Sequence, residues 1–295
     1  MSDIETKIID GRLYANELMY IAGERLKRLK EIDGLVPGLA VVMVGDNPSS
    51  QIYVNLKVKK AEAIGIKSMV FHLQDSATEI EILELISGLN NNSAVHGILV
   101  QMPLPKHLDQ YTILNAVDPA KDVDGFTAHN VGLLQYWHCD LVPCTPQGIM
   151  ILLKKTLGNI GGAKAVVIGR SLIVGRPTAT LLLRENCTVT IMHSQSNNVA
   201  AECRTADIIV AAAGQPKMVK GSWLKPGCCL IDVGITRLNG ENLVGDVDFE
   251  DVQGIAGYVT PVPGGVGPMT LACLLGNTLV AAKKQLGLPL LDVIE

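Results

Sequence analysis

Aromatic side chains are scarce in this 295-residue chain: Tyr, Phe and Trp together make up 4%. The core must therefore be aliphatic, which suits parallel strands buried on both faces better than an antiparallel sandwich. An excess of either charge is missing too, since 25 Lys and Arg against 29 Asp and Glu leave −4. With no basic run and no basic patch interleaved with aromatics, no nucleic-acid partner is expected. The seven cysteines (Cys139, Cys144, Cys187, Cys203, Cys228, Cys229 and Cys273) contain no CxxC spacing, so neither a zinc site nor a disulfide framework is expected. Reduced thiols in a cytoplasmic protein are the simplest reading. No signal-peptide profile opens the chain and no apolar run is read as a membrane span. A GxxxxGK(S/T) phosphate loop is absent, as is a strict GxGxxG.

What is present is alternation. Residues 38–46, 67–73 and 96–105 read as strands, the last stopped by prolines, with helices over 49–66 and 78–90 between them. The turn-rich "DPAKDVDGF" (118–126) breaks the rhythm and marks a hinge region. A helix follows within 142–158, with Thr145-Pro146 as cap and first turn. A second series then runs through "AKAVVIG", a helix over 173–185, "CTVTIMH", "DIIVAAAG", "CCLIDVG" and "GYVT", and closes on an apolar helix. The fold class is α/β. Two α/β lobes are expected, the second a Rossmann-type parallel sheet, with a cleft between them and a C-terminal helix returning to the first lobe. The expected domains are 1–142, completed by 270–295, and 143–269.

The segment "AVVIGRSLIVGRP" (165–177) reads as strand, glycine, helix, with Gly169 ending the strand and Gly175 early in the helix. Such glycines let a pyrophosphate approach the backbone at the positive end of a helix. The G-x5-G spacing is loose, and a β-turn-α connection without ligand is the competing reading. The end of the next strand decides more. NAD binders place Asp or Glu there, whereas this chain has His193, Ser194, Gln195 and Ser196. A missing acid beside an available Arg170 favours NADP; Arg170 as a solvated surface charge is the plain alternative.

In the first lobe Tyr53 and Lys57 share a helix face one turn apart. Taken alone, a tyrosine and a lysine on a helix surface carry no chemistry. Gln101 follows an apolar strand and Asp124 sits in a turn-rich loop, both places where parallel sheets put ligands, though Asp-Gly turns are common. "PVPGGVGPMT" (261–270) places three glycines and three prolines immediately before a helix, more than one tight turn needs.

Taken together, "YVNLK", "GILVQMPLP", "DPAKDVDGF", "PCTPQGI", "GRSLIVGRP", "LIDVGI", "GDVDF" and "TPVPGGVGPMT" resemble the bifunctional methylenetetrahydrofolate dehydrogenase/cyclohydrolase family, in the right order from about residue 8 to 285. The resemblance implies oxidation of 5,10-methylenetetrahydrofolate with NADP, then hydrolysis to 10-formyltetrahydrofolate, by a homodimer joined through its nucleotide lobes. It implies that Tyr53 stacks on the folate rings, Lys57 handles protons in hydrolysis, Gln101 holds that lysine and Asp124 accepts hydrogen bonds from the pterin. Pro263, Gly264 and Gly265 would line the folate site, and Gly169, Arg170, Ser171, Gly175, Ser194 and Ile235 would bind NADP. Arg176 is left outside this set. Two alternatives remain: another NADP-dependent two-lobe dehydrogenase of shikimate or hydroxy-acid type, and a folate- or nucleotide-binding protein without turnover.

Overall fold

The structure is a computed structural model describing residues 4–238 and 242–289. The chain divides into two compact units, Glu17–Cys144 with Leu271–Glu295, and Met1–Asn16 with Thr145–Thr270. The expected domains began at residue 1 and broke after 142 and 269. The N-terminal difference has a physical cause: β1 (Lys7–Ile8) pairs in parallel with β11 (Tyr258–Val259), a strand of the second series. The expected closing helix ran to residue 295, and residues 290–295 lie outside those described.

The first unit holds a three-stranded parallel sheet of β2 (Gly38–Val44), β3 (Lys67–Leu73) and β4 (Gly97–Val100), with β2 in the centre. Every residue of β2 is buried, as a central parallel strand requires. Helix α1 (Gly11–Asp33) begins in the other unit and runs into this one. Helix α2 (Pro48–Ile64) connects β2 to β3, and α3 (Glu79–Asn90) connects β3 to β4. Thr78 and Glu81 form a reciprocal capping box that starts α3. Ile82, Ile86 and Leu89 on its buried face pack with Ala40, Val42, Ile98 and Val100, each large side chain contributing about 1.5–3 kcal/mol by burial. Strand β4 is shorter than the expected 96–105. Its ladder ends at Gln101, whose amide still donates to the Val42 carbonyl at 2.8 Å. Short helices α4 (Gln110–Asn115) and α5 (Ala128–Gln135) follow.

Two residues of "KDVDGF" serve the fold. Lys121 is buried and its Nζ donates to the carbonyls of Leu89, Asn90 and Asn92 at 3.2, 2.7 and 2.9 Å, closing the C-terminal end of α3. Asp122, also buried, accepts from the Phe126 and Thr127 amides at 3.2 and 2.8 Å and from Asn130 Nδ2 at 2.9 Å. It thereby fixes the start of α5.

The second unit is built on a six-stranded parallel sheet. Its order is β1-β11-β8-β7-β5-β6, with β5 (Lys164–Ile168), β6 (Thr188–Met192), β7 (Ile208–Ala211) and β8 (Cys229–Asp232). Strand β6 lies on one side of β5 and β7 on the other, the reversal of strand order that defines a Rossmann switch point. Helix α6 (Cys144–Leu157) leads into β5, and α7 (Gly175–Arg184) and α8 (Val199–Cys203) join the strands. Thr145 is not the cap expected of it: α6 already includes Cys144, and the Thr145 hydroxyl pairs with that of Thr270 at 3.0 Å. A small antiparallel ribbon, β9 (Thr236–Leu238) with β10 (Asn242–Val244), lies outside the sheet. Helix α9 (Val266–Gln285) starts in this unit and continues into the first. By length and composition α9 would suffice to cross a bilayer, which the sequence reading did not anticipate; 83% of the relevant stretch is buried inside the protein.

Candidate functional site

Within the first unit the expected residues converge at the carboxyl end of the sheet. Lys57 projects from α2, and its Nζ donates to Gln101 Oε1 at 2.9 Å. Gln101 cannot easily turn away, because its Nε2 donates to the Met102 carbonyl at 2.6 Å and so aims Oε1 at the lysine. Tyr53 lies one turn before Lys57 and is 40% exposed, a large ring left open. The half-buried carboxylate of Asp124 lies within electrostatic reach of Lys57.

Burial, the largest influence, raises the Asp124 carboxyl to about 6; Lys57 pulls it down, Asp122 pushes it up, and a hydrogen bond from Cys144 lowers it. Asp122 has taken the turn-holding bonds, which leaves Asp124 aimed elsewhere. The Cys144 thiol is kept protonated by burial and by the charge of Asp124, and its sulfur accepts from Asn277 Nδ2 at 3.6 Å. It also lies 3.3 Å from the Val123 carbonyl. Asn277 on α9 donates through Nδ2 to the carbonyls of Val123 and Val142, both at 2.8 Å, and fixes the backbone on both sides. Cys144 and Asn277 were not singled out from the sequence. The cysteine stands in the quoted "PCTPQGI", which was the available signal; nothing local marked the asparagine.

In the second unit Gly169, Arg170, Ser171 and Gly175 form one turn between β5 and α7. The Ser171 hydroxyl accepts from the Val174 and Gly175 amides, both at 3.2 Å. A side chain at Gly175 would overlap the Gly169 carbonyl, so this glycine is required by the chain's own packing as well as by any ligand. The Gly169 amide donates to the Met192 carbonyl at 2.8 Å, which brings the ends of β5 and β6 together and puts Ser194 on the same edge of the sheet. Arg170 and Ser194 are both exposed. Arg176 donates through Nε to the Arg170 carbonyl at 3.1 Å and props the turn. No carboxylate follows β6, since His193 and Ser196 close that turn on each other. A glycine turn at a helix N-terminus, an open arginine and a strand end without acid fit a 2′-phosphorylated dinucleotide.

The turn of "PVPGGVGPMT" is set partly by the chain itself. Gly264 has φ +118°, and a methyl at Gly265 would lie 2.6 Å from the Thr260 Cβ. Pro263 is exposed. Ile235, after β8, is 47% exposed, and its Cδ1 would lie 3.8 Å from a methyl at Gly267.

Two family profiles match the chain: the tetrahydrofolate dehydrogenase/cyclohydrolase catalytic domain over residues 9–124, and the NAD(P)-binding domain of the same family over residues 143–286. The bifunctional protein FolD 2 of Paracoccus denitrificans is 51% identical over 98% of this chain and 96% of its own. The bifunctional methylenetetrahydrofolate dehydrogenase/cyclohydrolase FolD of Campylobacter jejuni superposes with a TM-score of 0.92 at 45% identity, covering 95% of this chain and 99% of that one. The dehydrogenase-cyclohydrolase of Trypanosoma brucei, solved with NADP cofactor and an inhibitor, gives 0.92 at 40% identity over 96% and 99%.

Proposed function

Because this chain belongs to the tetrahydrofolate dehydrogenase/cyclohydrolase family, we propose that Lys57, Gln101, Asp124 and Tyr53 are its folate-site machinery and that the Gly169–Gly175 turn with Arg170 and Ser194 takes the cofactor. The enzyme oxidises 5,10-methylenetetrahydrofolate to the methenyl cation with NADP and hydrolyses the cation to 10-formyltetrahydrofolate. The two-lobe alternatives are set aside by the family match through both halves. The observation that carries the assignment of roles is the 2.9 Å hydrogen bond between Lys57 and Gln101.

Bound NADP supplies a two-electron acceptor for the hydride leaving the methylene carbon. That step needs no protein base, and orientation contributes most, with effective-molarity gains of about 7–11 kcal/mol. Asp124 accepts hydrogen bonds from the pterin and Tyr53 stacks on its ring. Hydrolysis does need proton transfer. Lys57 takes a proton from the water that attacks the bridging carbon and returns it to the ring nitrogen as the carbon–nitrogen bond breaks, the remaining hydroxyl proton leaving to solvent as the formyl carbonyl forms. Gln101 holds Nζ in place beside that water. Pro263, Gly264, Gly265 and Ile235 complete the proposed binding set. The test is a coupled assay with methylenetetrahydrofolate and NADP: NADPH should appear together with 10-formyltetrahydrofolate, and absence of either product would overturn the reading.

NADP preference rests on Arg170 and Ser194. Arg170→Ser should lower kcat/KM for NADP by roughly 10- to 150-fold, the equivalent of a charge-assisted bond of about 1.5–3 kcal/mol, and leave NAD turnover little changed. A clear preference of the native enzyme for NAD would contradict the assignment.

The free cysteines support a cytoplasmic reading, since thiols stay reduced there. A homodimer through the nucleotide-binding unit is supported by β6, which ends the six-stranded sheet with Ile191 exposed, as is Leu183 on α7. A monomer by sedimentation at micromolar concentration would refute that arrangement.

A further inference from the structure

Two acids of the second unit are buried where an aliphatic core is expected. Asp232 ends β8 and is 4% exposed; Asp246 follows β10 and is fully buried. Asp232 accepts from the amides of Gly234 (3.0 Å), Asp246 (2.9 Å) and Val247 (3.0 Å), while its own amide donates to the Thr260 hydroxyl at 2.7 Å. Asp246 Oδ2 accepts from the amides of Ala213 (2.6 Å) and Gly214 (2.9 Å), and its Oδ1 is buried with no hydrogen-bond partner among the described residues. Gly245 and Gly234 are packed against these carboxylates so closely that any side chain would overlap them. No ammonium or guanidinium appears among these partners; the nearby Lys217 and Lys220 pair with Asp248. Burial raises both acids, Asp232 to about 7, with Asp246 adding a repulsive push.

Turn formation alone does not account for burying two acids with no cationic partner among the described residues, which is costly even with amide hydrogen bonds. Their position suggests a use. Of the amides they hold, those of Ala213 and Gly214 follow β7 and that of Gly234 follows β8, at the carboxyl ends of the half-sheet beyond the switch point from β5 and β6; those of Asp246 and Val247 follow β10 and tie the two acids to each other. In a Rossmann sheet that half takes the nicotinamide mononucleotide. Oxidised nicotinamide carries a positive charge, and reduced nicotinamide does not.

We propose that the buried carboxylates of Asp232 and Asp246 are positioning residues that hold the two nicotinamide loops and favour the oxidised, cationic cofactor over the reduced, neutral one. This rests on the cofactor reading above. Asp246→Asn is the sharpest variant: it keeps an acceptor for Ala213 and Gly214 and puts an amide nitrogen where Oδ1 has no partner.

The measurement is the dissociation constant of NADP and of NADPH by titration at about pH 8, above the Asp232 value of about 7. Native protein should bind both, and the variant should lose affinity for NADP on the order of tenfold more than for NADPH, the scale of one unit charge acting through a protein interior. Methenyltetrahydrofolate hydrolysis, which uses no cofactor, reports whether the variant is folded. Equal weakening of both forms, or none, would overturn the inference and leave the cofactor reading standing. Failure of the native protein to bind either form would overturn the cofactor reading itself. Should Asp246→Asn not fold, Asp232→Asn is read by the same ratio, with the same result required.

Discussion

Lys57→Met is expected to abolish hydrolysis of the methenyl cation while hydride transfer survives. The methionine keeps the length and apolar stem of the lysine, so Tyr53 and the α2 backbone stay in place. What disappears is the amine hydrogen-bonded to Gln101. General acid–base assistance is worth about 10²–10⁴ in rate, and the loss should fall wholly on the hydrolytic step. Gln101 Oε1 loses its partner, at about 1–3 kcal/mol of stability if it finds no water, which lowers the melting temperature without touching the oxidation. Single-turnover measurements separate the effects: NADPH formation should stay within a few-fold of native while methenyltetrahydrofolate accumulates. Equal loss of both activities, with folate still bound, would refute the role given to Lys57.

Asp124→Ala should weaken folate binding and leave NADP affinity unchanged. Truncating one partner of a desolvated, charge-assisted contact costs about 2–5 kcal/mol, or roughly 30- to several-thousand-fold in affinity. Separate titrations of the two ligands check this, and a parallel loss of NADP binding would count against it. The raised carboxyl adds a pH signature. Because Asp124 titrates near 6 in the folded protein, folate affinity should decline as pH falls through that value and the acceptor becomes a neutral acid. Stability should move the other way. The folded chain binds this proton more tightly than an unfolded Asp at 3.8, so the contribution of Asp124 to stability is full below about 4 and is lost as pH rises through 6. Asp124→Asn should therefore be more stable than the native protein at neutral pH although it binds folate poorly, a trade seen where a site is built against the fold's preference. Unchanged or lower stability of that variant at pH 7 would argue that the acid is not strained by burial.

The order of strands and helices was legible because each βα step carries its own signal: apolar runs of strand length, acids or a capping threonine at helix starts, glycine or proline at the ends. Pairing across the whole chain was not. Nothing local in Lys7–Ile8 shows that it completes a sheet with Tyr258–Val259, since a two-residue strand has no period to read. Helix α1 went unread as well, and its ends fall in different units.

The site was half visible. Tyr53 and Lys57 announce a shared face by their spacing, whereas their meeting with Gln101, 44 residues on, came only through family resemblance. The "KDVDGF" loop hid a division of labour that composition cannot show, because Asp122 and Asp124 are the same residue type two positions apart. One is consumed by backbone amides, and the other is the residue proposed for the pterin. Asp232 and Asp246 were quoted within motifs but given no role. Their burial depends on glycines and amides brought in from loops far along the chain.

The bracing of the Asp124 loop has a kinetic consequence. Lys121 is tied to three carbonyls behind it, and Asp122 to the amides ahead of it. The carboxylate proposed to recognise the pterin therefore stands between two fixed points before any substrate arrives, and docking a ring onto it would require no segment to fold. Capture should then be limited by how quickly the ring finds its place rather than by rearrangement, so association should follow a single exponential whose rate rises linearly with folate concentration.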